Sequence, residues 1–536
     1  GQPLASRERT SNVGPWAGWM VAALWGLHPL NLTSVLYVVQ RMTSLSALFG
    51  LGALLIYAWY RTRTAERNNS QRPLLLGFGV ACVVLMCLAL SVLSKETGLL
   101  FGPLLVWVEF CVYRFHFNGK PIRLAGIAFD RIVLGALALG VLYVALFKLP
   151  AMLAPGAFAN RDFTLVERGL TQTRVLFFYL RVFLLPSISD LSLYHDDFPI
   201  SHSLLDPPAT AMAVSGLVFI TTAAFLLRKR APAVLFAWGW FLISHALEST
   251  VFPLEMVHEH RNYFATFGLL ILVPAALQRV SKPEVRRVFA VLFVAYLGLL
   301  GVVTNVRAMQ WSNQVDWTAL EAANHPRSAR ANYELARVFM ILREQTGESR
   351  FGALADEALE KATGAYNPGM LPFMARIQLA YYRDLEPSPE LIGTVKHVLK
   401  AWPYYNSNTA TLNSMVACQI EGKCHLSDKD ALDMLGAALQ NPNITPSSRG
   451  EVLKLVAQYR INKFNDLPHG AELIREAIAV SDEASSRIMY AQALAMQGKY
   501  NDGLEQLNLA SSLDSKRVYK NQIERERKAI EAAKQN

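Results

Sequence analysis

The sequence predicts an all-α protein: a polytopic transmembrane helical bundle followed by an α-solenoid of paired amphipathic helices. Two observations lead there. Long apolar runs crowd the chain up to about residue 305. The remainder is ordinary soluble sequence, in amphipathic segments parted by Pro, Gly and Asn. The whole-chain averages hide this division: 536 residues, 52% hydrophobic, mean hydropathy +0.22. The expected domains are residues 1–317 and 318–536.

The first half reads in order as about nine spans. A polar start with Arg7, Glu8 and Arg9 precedes an apolar run from Pro15 to Leu27, which ends at His28-Pro29. Leu32 to Val39 is a short interfacial piece. Spans follow at Met42–Trp59, Pro73–Leu93, Leu99–Tyr113 and Ile132–Phe147. Residues 149–207 form a long extracytoplasmic segment. In it Val166–Leu185 is an amphipathic helix, with Val175, Phe178, Val182 and Leu185 on one face and Arg174 and Arg181 on another. That pattern suits a helix lying on the bilayer surface. The last spans are Ala209–Leu227, Ala233–Leu247, Phe264–Leu277 and Val288–Val303.

Orientation comes from charge. The formal net charge is +10, but its placement matters more. The loops 61–72, 114–123, 228–230 and 279–287 are basic, and alternation puts all four on one side, the cytoplasmic one. The soluble half is then extracytoplasmic: periplasmic in a bacterium, lumenal in a eukaryote. With the basic residues serving as topological anchors, the charge does not argue for nucleic acid.

The same alternation gathers four polar clusters on the opposite face. They are His28-Pro29 with Gln40-Arg41, Lys95-Glu96, His195-Asp196-Asp197, and His258-Glu259-His260-Arg261-Asn262-Tyr263, with Glu255 just upstream. Ionisable groups at a membrane edge are costly to desolvate, so they face partners or a wet cavity. An acid, a guanidinium and two imidazoles in six residues suit a site that handles an anion and moves protons. Each cluster has a plainer reading: His28-Pro29 ends a helix, Lys95-Glu96 is a local ion pair, Asp196-Asp197 is a solvated loop. A divalent metal held by His195, Asp196 and Asp197 with His258 or His260 is conceivable, yet no close-spaced ligand motif supports it. There is no P-loop, GxGxxG or GxSxG. Cys82, Cys87 and Cys111 fall in apolar helices as structural thiols. Cys418 and Cys424 are close enough for a disulfide if the tail is extracytoplasmic.

In the tail, Asn332-Tyr333, Leu335-Ala336, Ala358, Ala362 and Pro368 resemble one tetratricopeptide unit. Tyr490, Ala491, Leu494, Ala495, Gly498, Tyr500, Leu504, Leu507 and Ala510 make a better one. The stretch HPLNLTSVLYVVQRMTSLSALFGLGALLIY, then SKETGLL, then HEHRNY, then this tail, resembles the GT-C class of membrane glycosyltransferases that carry tetratricopeptide repeats. That group includes the protein O-mannosyltransferases and their bacterial relatives. The resemblance covers most of residues 15–320. It implies transfer of a sugar from a polyprenyl-phosphate donor to an extracytoplasmic acceptor, a protein hydroxyl, in a bacterial inner membrane with a periplasmic tail.

The family's acidic catalytic residue sits in its first extracytoplasmic loop, which the resemblance places before residue 1. On this reading Arg41, Lys95 and Arg261 hold the donor phosphate, with Gln40, Asn262, Tyr263, His195 and Asp196 lining the donor site. Glu96 and Glu259 orient the cations or sugar hydroxyls, and His258 or His260 assists proton transfer. Glu259, His258 and His260 are therefore the catalytic candidates. The bilayer, the lipid-linked donor and a protein bound by the repeats are the expected partners. An O-antigen ligase or glycan polymerase and a non-enzymatic repeat scaffold are the alternatives.

Overall fold

A computed structural model describes residues 16–66, 73–117, 120–124, 126–154, 157–158, 161–383 and 385–535. The polar residues 1–14 and much of the basic loop 61–72 lie outside these. Among the described residues almost all the regular structure is helical. Its strands are two small hairpins, His116–Phe117 with Lys120–Pro121 and Arg123–Leu124 with Ile127–Ala128. Two compact units result. The first takes residues 1–154 and 163–325, the second 155–162 and 326–536. Residues 318–325, assigned to the tail from sequence, thus belong to the first unit.

The helices of the first unit are α1 (Trp16–Gly26), α2 (Arg41–Glu66), α3 (Pro73–Ser94), α4 (Phe101–Val108), α5 (Phe129–Tyr143), α6 (Leu165–Leu184), α7 (Ala209–Leu226), α8 (Pro232–His245), α9 (Ala265–Leu270), α10 (Leu272–Gln278), α11 (Pro283–Gln310) and α12 (Gln314–Asn324). Among the described residues six helical stretches are long and apolar enough to cross a membrane: Val38–Arg63, Leu76–Ser94, Glu96–Tyr113, Phe129–Leu153, Ala209–Lys229 and Pro283–Gln310. This is a multi-pass membrane protein. Phe129–Leu153 shows why, since it is apolar from Ile132 to Phe147 and α5 buries no residue in the protein. Only hydrocarbon can cover such a helix. The other three apolar runs form shorter helices. α1 has 11 described residues and α8 has 14. The run 264–277 is split into α9 and α10, of six and seven residues.

Aromatic side chains set the helix spacing. Trp240 of α8 lies over Gly268 of α9, where an added Cβ would meet Trp240 Cγ at 2.4 Å. Its indole donates to Phe264 O at 2.8 Å. Phe101, Leu104, Trp240 and Phe264 close the core between α2, α4, α8 and α9.

α6 is present almost as expected, from Leu165 to Leu184. Thr164 caps it: its hydroxyl accepts from Glu167 N while Glu167 returns a bond to Thr164 N. Its placement differs from expectation. Beside Val175 and Val182 it buries Arg168, Thr171, Gln172 and Tyr179. This helix packs its polar residues into the protein instead of floating on lipid.

The second unit is a run of helix pairs: Ala329–Thr346 with Ser349–Gly364, Leu371–Tyr381 with Pro389–Ala401, Asn406–Ile420 with Asp428–Leu439, Pro446–Phe464 with Leu467–Val480, and Ala484–Met496 with Tyr500–Leu513. Lys520–Gln535 closes it. Small residues allow close approach within pairs: Ala336, Ala355, Ala358 and Ala362 are buried. Gly498 turns between the last two paired helices at φ +78°, a left-handed conformation that glycine adopts without strain. Cys418 and Cys424 are joined in a disulfide, Cα to Cα 5.4 Å. Cys111 is buried, Cys87 half-buried and Cys82 exposed on its apolar helix.

The disulfide makes a direct prediction. Alkylation of the denatured, non-reduced protein leaves Cys418 and Cys424 unlabelled, and prior reduction labels both. Peptide mass mapping reads the difference.

Candidate functional site

The site is built on the irregular segment between α8 and α9. Irregular backbone leaves its carbonyls without intrahelical partners, and burying them unpaired costs about 1–3 kcal/mol each. α6 supplies the missing donors. Arg168, fully buried, donates through Nε to Thr250 O (2.9 Å), through Nη2 to Glu248 O (2.7 Å) and through Nη1 to Leu254 O. Gln172 Nε2 donates to Met256 O at 2.8 Å. Tyr179 Oη donates to His258 O (3.1 Å) and accepts from His258 N (2.9 Å). Residues 168, 172, 175, 179 and 182 share a helix face, so one stripe of α6 holds the whole segment. The sequence reading missed Arg168, Gln172 and Tyr179. The signal was their register with Val175 and Val182, a polar extension of the apolar face.

So held, the chain makes a short turn at Glu259–Asn262 with Glu259, His260, Arg261 and Asn262 all buried. Glu259 forms a two-pronged pair with Arg307 at the end of α11, Nη2 to Oε1 2.9 Å and to Oε2 2.7 Å. Arg307 Nη1 also donates to Pro29 O at 3.0 Å. Burial pushes the Glu259 carboxyl up to about 7, against the pull of Arg307. His260 is held well below its ordinary value by burial, with Lys95 opposing its charge as well. Its ring stacks on His258, centroids 5.1 Å apart, and His258 Nε2 lies 3.9 Å from Glu255. Arg261 faces inward, donating to Met256 O (2.9 Å) and Glu255 O (2.8 Å). Its terminal nitrogens therefore serve its own loop. Asn262 Nδ2 donates to Glu259 O at 3.2 Å, and Tyr263 packs on Trp25, whose indole donates to Tyr263 O.

Lys95 and Glu96 do not form the local pair of the plainer reading. Glu96 is exposed, while Lys95 is buried and its Nζ lies 3.3 Å from Glu248. Nζ also donates to Thr43 Oγ1 at 3.0 Å and approaches Gln40 Oε1 at 3.5 Å. The sequence reading missed Glu248 and Arg307. Each is a single charge just beyond or inside the end of an apolar run, the place where a desolvated charge needs a partner. Arg41 stands apart from these pairs. It is exposed, and its Nε donates to Val35 O at 3.0 Å. Among the described residues its two terminal nitrogens have no protein partner.

His28 bears out the plainer reading. Its Nδ1 accepts from Leu30 N at 3.2 Å, so Nε2 carries the hydrogen and donates to Phe183 O at 2.8 Å. Burial lowers its pKa to about 4, so it stays neutral as a helix-end cap. His195 is buried and Asp196 exposed. Among the described residues no group of three or more His, Cys, Asp and Glu is placed to hold a metal ion, and the His195-Asp196-Asp197 set with His258 or His260 is not one.

Around the Glu259 turn the interior keeps unpaired polar atoms among the described residues: Asn31 Oδ1, Ser34 Oγ and Ser244 Oγ. Native interiors rarely leave such atoms unbonded, and buried water is their usual partner. No family model, no curated protein and no solved structure matches the chain.

Two outcomes follow. Replacing Arg168 with Met keeps the bulk but strands three carbonyls, so the thermal midpoint in detergent should fall markedly, by the equivalent of about 3 kcal/mol or more. Glu259 has a pKa raised on folding from 4.5 to about 7. The folded state therefore binds more protons in that window, and this group's contribution to stability falls as pH rises through it. Glu259→Gln, which mimics the protonated form, should flatten that part of the pH–stability curve. Thermal midpoints of both proteins between about pH 5 and 7.5 measure it.

Proposed function

We propose that this protein is a membrane glycosyltransferase. On this reading it moves a sugar from a polyprenyl-phosphate donor to an extracytoplasmic acceptor hydroxyl, carried by a protein. The observation that carries the reading is the gathering of buried ion pairs and unbonded polar atoms at one end of apolar spans. Lys95–Glu248 and Glu259–Arg307 are desolvated pairs that hold the local backbone in place. The unbonded atoms beside them offer donors and acceptors for sugar hydroxyls. Arg41 supplies the uncommitted guanidinium for the donor phosphate, next to exposed Val35, Val38 and Val39 that suit a lipid surface. An apolar cavity of about 280 Å³ among Leu24, Phe183, Leu270, Val273, Phe293 and Tyr296 suits hydrocarbon.

The catalytic roles shift accordingly. Arg41 replaces Arg261 as the main phosphate ligand, and Arg261 becomes a positioning residue. Lys95 and Glu259 position through their partners, whereas Glu255 and His258 keep some exposure to substrate. The resemblance to repeat-bearing GT-C enzymes supports the reading, as do the paired helices of the tail and their glycine turn. The disulfide suits an oxidising compartment and so supports our reading of the tail as periplasmic in a bacterial inner-membrane protein.

The test compares intact masses of exported proteins from cells with and without this protein. A sugar-sized mass lost from one or a few proteins supports the reading. Arg41→Ala should then lower the modified fraction about 100-fold with an unchanged thermal midpoint, since its side chain is exposed. An altered lipopolysaccharide profile with no protein change would instead favour a glycan ligase or polymerase. No change in either would favour a scaffold.

A further inference from the structure

α8 begins at Pro232 and runs toward the Glu259 turn, and α9 and α10 lead back from that turn to Arg279. The far ends of these helices carry two basic turns that the proposed chemistry does not use. One is Arg228-Lys229-Arg230, between α7 and α8. The other holds Arg279, Lys282, Arg286 and Arg287, from the end of α10 into the start of α11. Arg279 Nη2 donates to Arg230 O at 3.2 Å, so the two turns lie side by side although 49 residues part them. All of these cations but Arg228 are exposed. Glu284 is the one acid in either turn. Among the described residues none of these cations forms an ion pair.

Three of the guanidinium groups brace backbone. Arg228 Nη1 donates to Phe225 O and Arg286 Nε to Val280 O, both at 2.8 Å, while Arg279 joins the turns. The charged heads of Lys229, Arg230, Lys282 and Arg287 are bonded to nothing among the described residues. Like charges tied together without a carboxylate call for an anion from outside the chain. Their neighbours say which one. The patch lies at the ends of two apolar spans, Ala209–Lys229 and Pro283–Gln310. Phe225, Leu226 and Leu227 on the first and Val285 and Val288 on the second are exposed, so hydrocarbon reaches the last turn of each. Cations just beyond that hydrocarbon stand in the headgroup layer, where phosphate is the abundant anion. Lys and Arg suit that depth, with an apolar stem and a charged tip.

We propose that these two turns form one binding site for an anionic phospholipid, whose headgroup phosphate is held by cations of both. The inference goes beyond the transferase reading and does not rest on it. Basic residues orient a membrane protein wherever they lie in a loop. A lipid site needs more, namely two turns in contact, and the bond from Arg279 to Arg230 supplies that. A bound phosphate offsets the repulsion between the turns and so steadies the starts of α8 and α11.

The test uses the full chain, purified in detergent and stripped of native lipid. Native mass spectrometry compares binding of phosphatidylglycerol with that of phosphatidylcholine carrying the same acyl chains. Phosphatidylglycerol should bind saturably and about 10-fold tighter or more, and less tightly as sodium chloride is raised. Combining Lys229→Gln, Arg230→Gln, Lys282→Gln and Arg287→Gln should weaken its binding about 10-fold or more. The lipid-free thermal midpoint should not change, because these heads are exposed and unbonded. Glu284→Gln removes the one acid, keeps every basic anchor and should tighten binding about twofold. Equal binding of the two lipids overturns the inference, and that comparison needs no variant. Either variant failing to move in its stated direction overturns it too. So does displacement of the lipid by millimolar inorganic phosphate, which would make the patch a site for a soluble anion. No sugar transfer is read, so a failure of the transferase reading leaves this result standing.

Discussion

The architecture of the first unit depends on Arg168. One guanidinium satisfies three carbonyls of an irregular segment that neither helix nor sheet could satisfy. With Gln172 and Tyr179 it converts a loop between two apolar helices into a fixed shelf. The Glu259 turn can then bury four consecutive polar residues, because its approach from residue 248 onward is already bonded. Arg168 pays for this with a full desolvation that only complete hydrogen bonding offsets.

Charge pairing follows the same logic. Lys95 and Glu259 are each desolvated, and each is matched by a group far away in sequence, Glu248 and Arg307. Such pairs add little net stability, since desolvation takes back most of the Coulomb gain. What they supply is placement. They tie the entry to one apolar stretch, the exit of another and the turn after α8 to one another. The cations most easily read as ligands for an anion are thereby committed to the protein. The exposed guanidinium of Arg41, at the start of α2, stands outside these pairs.

The division into an apolar half and a helical-pair half was legible from hydropathy alone, because hydrocarbon and water impose different compositions. α6 was legible to within a residue at each end through its periodicity. Its burial was not. An amphipathic stripe shows which residues share a face but not what covers it, and the apolar face of Val175 and Val182 with Arg174 and Arg181 on another read as a lipid-surface helix. The His258–Tyr263 cluster was visible as dense charge, yet the inward turn of Arg261 was not. That depends on carbonyls at 255 and 256, whose need for a donor arises only once they are buried.

The sequence by itself determined the all-α class and the presence of apolar helices long enough for a membrane. Those are consequences of composition and period, which are local. The tertiary structure decided the pairings: Lys95 with Glu248 and not Glu96, Glu259 with Arg307, His325 with Asp197. A buried charge takes whichever partner the packing brings within reach. That partner stood 48 residues away for Glu259 and 128 for His325, separations that no local pattern encodes.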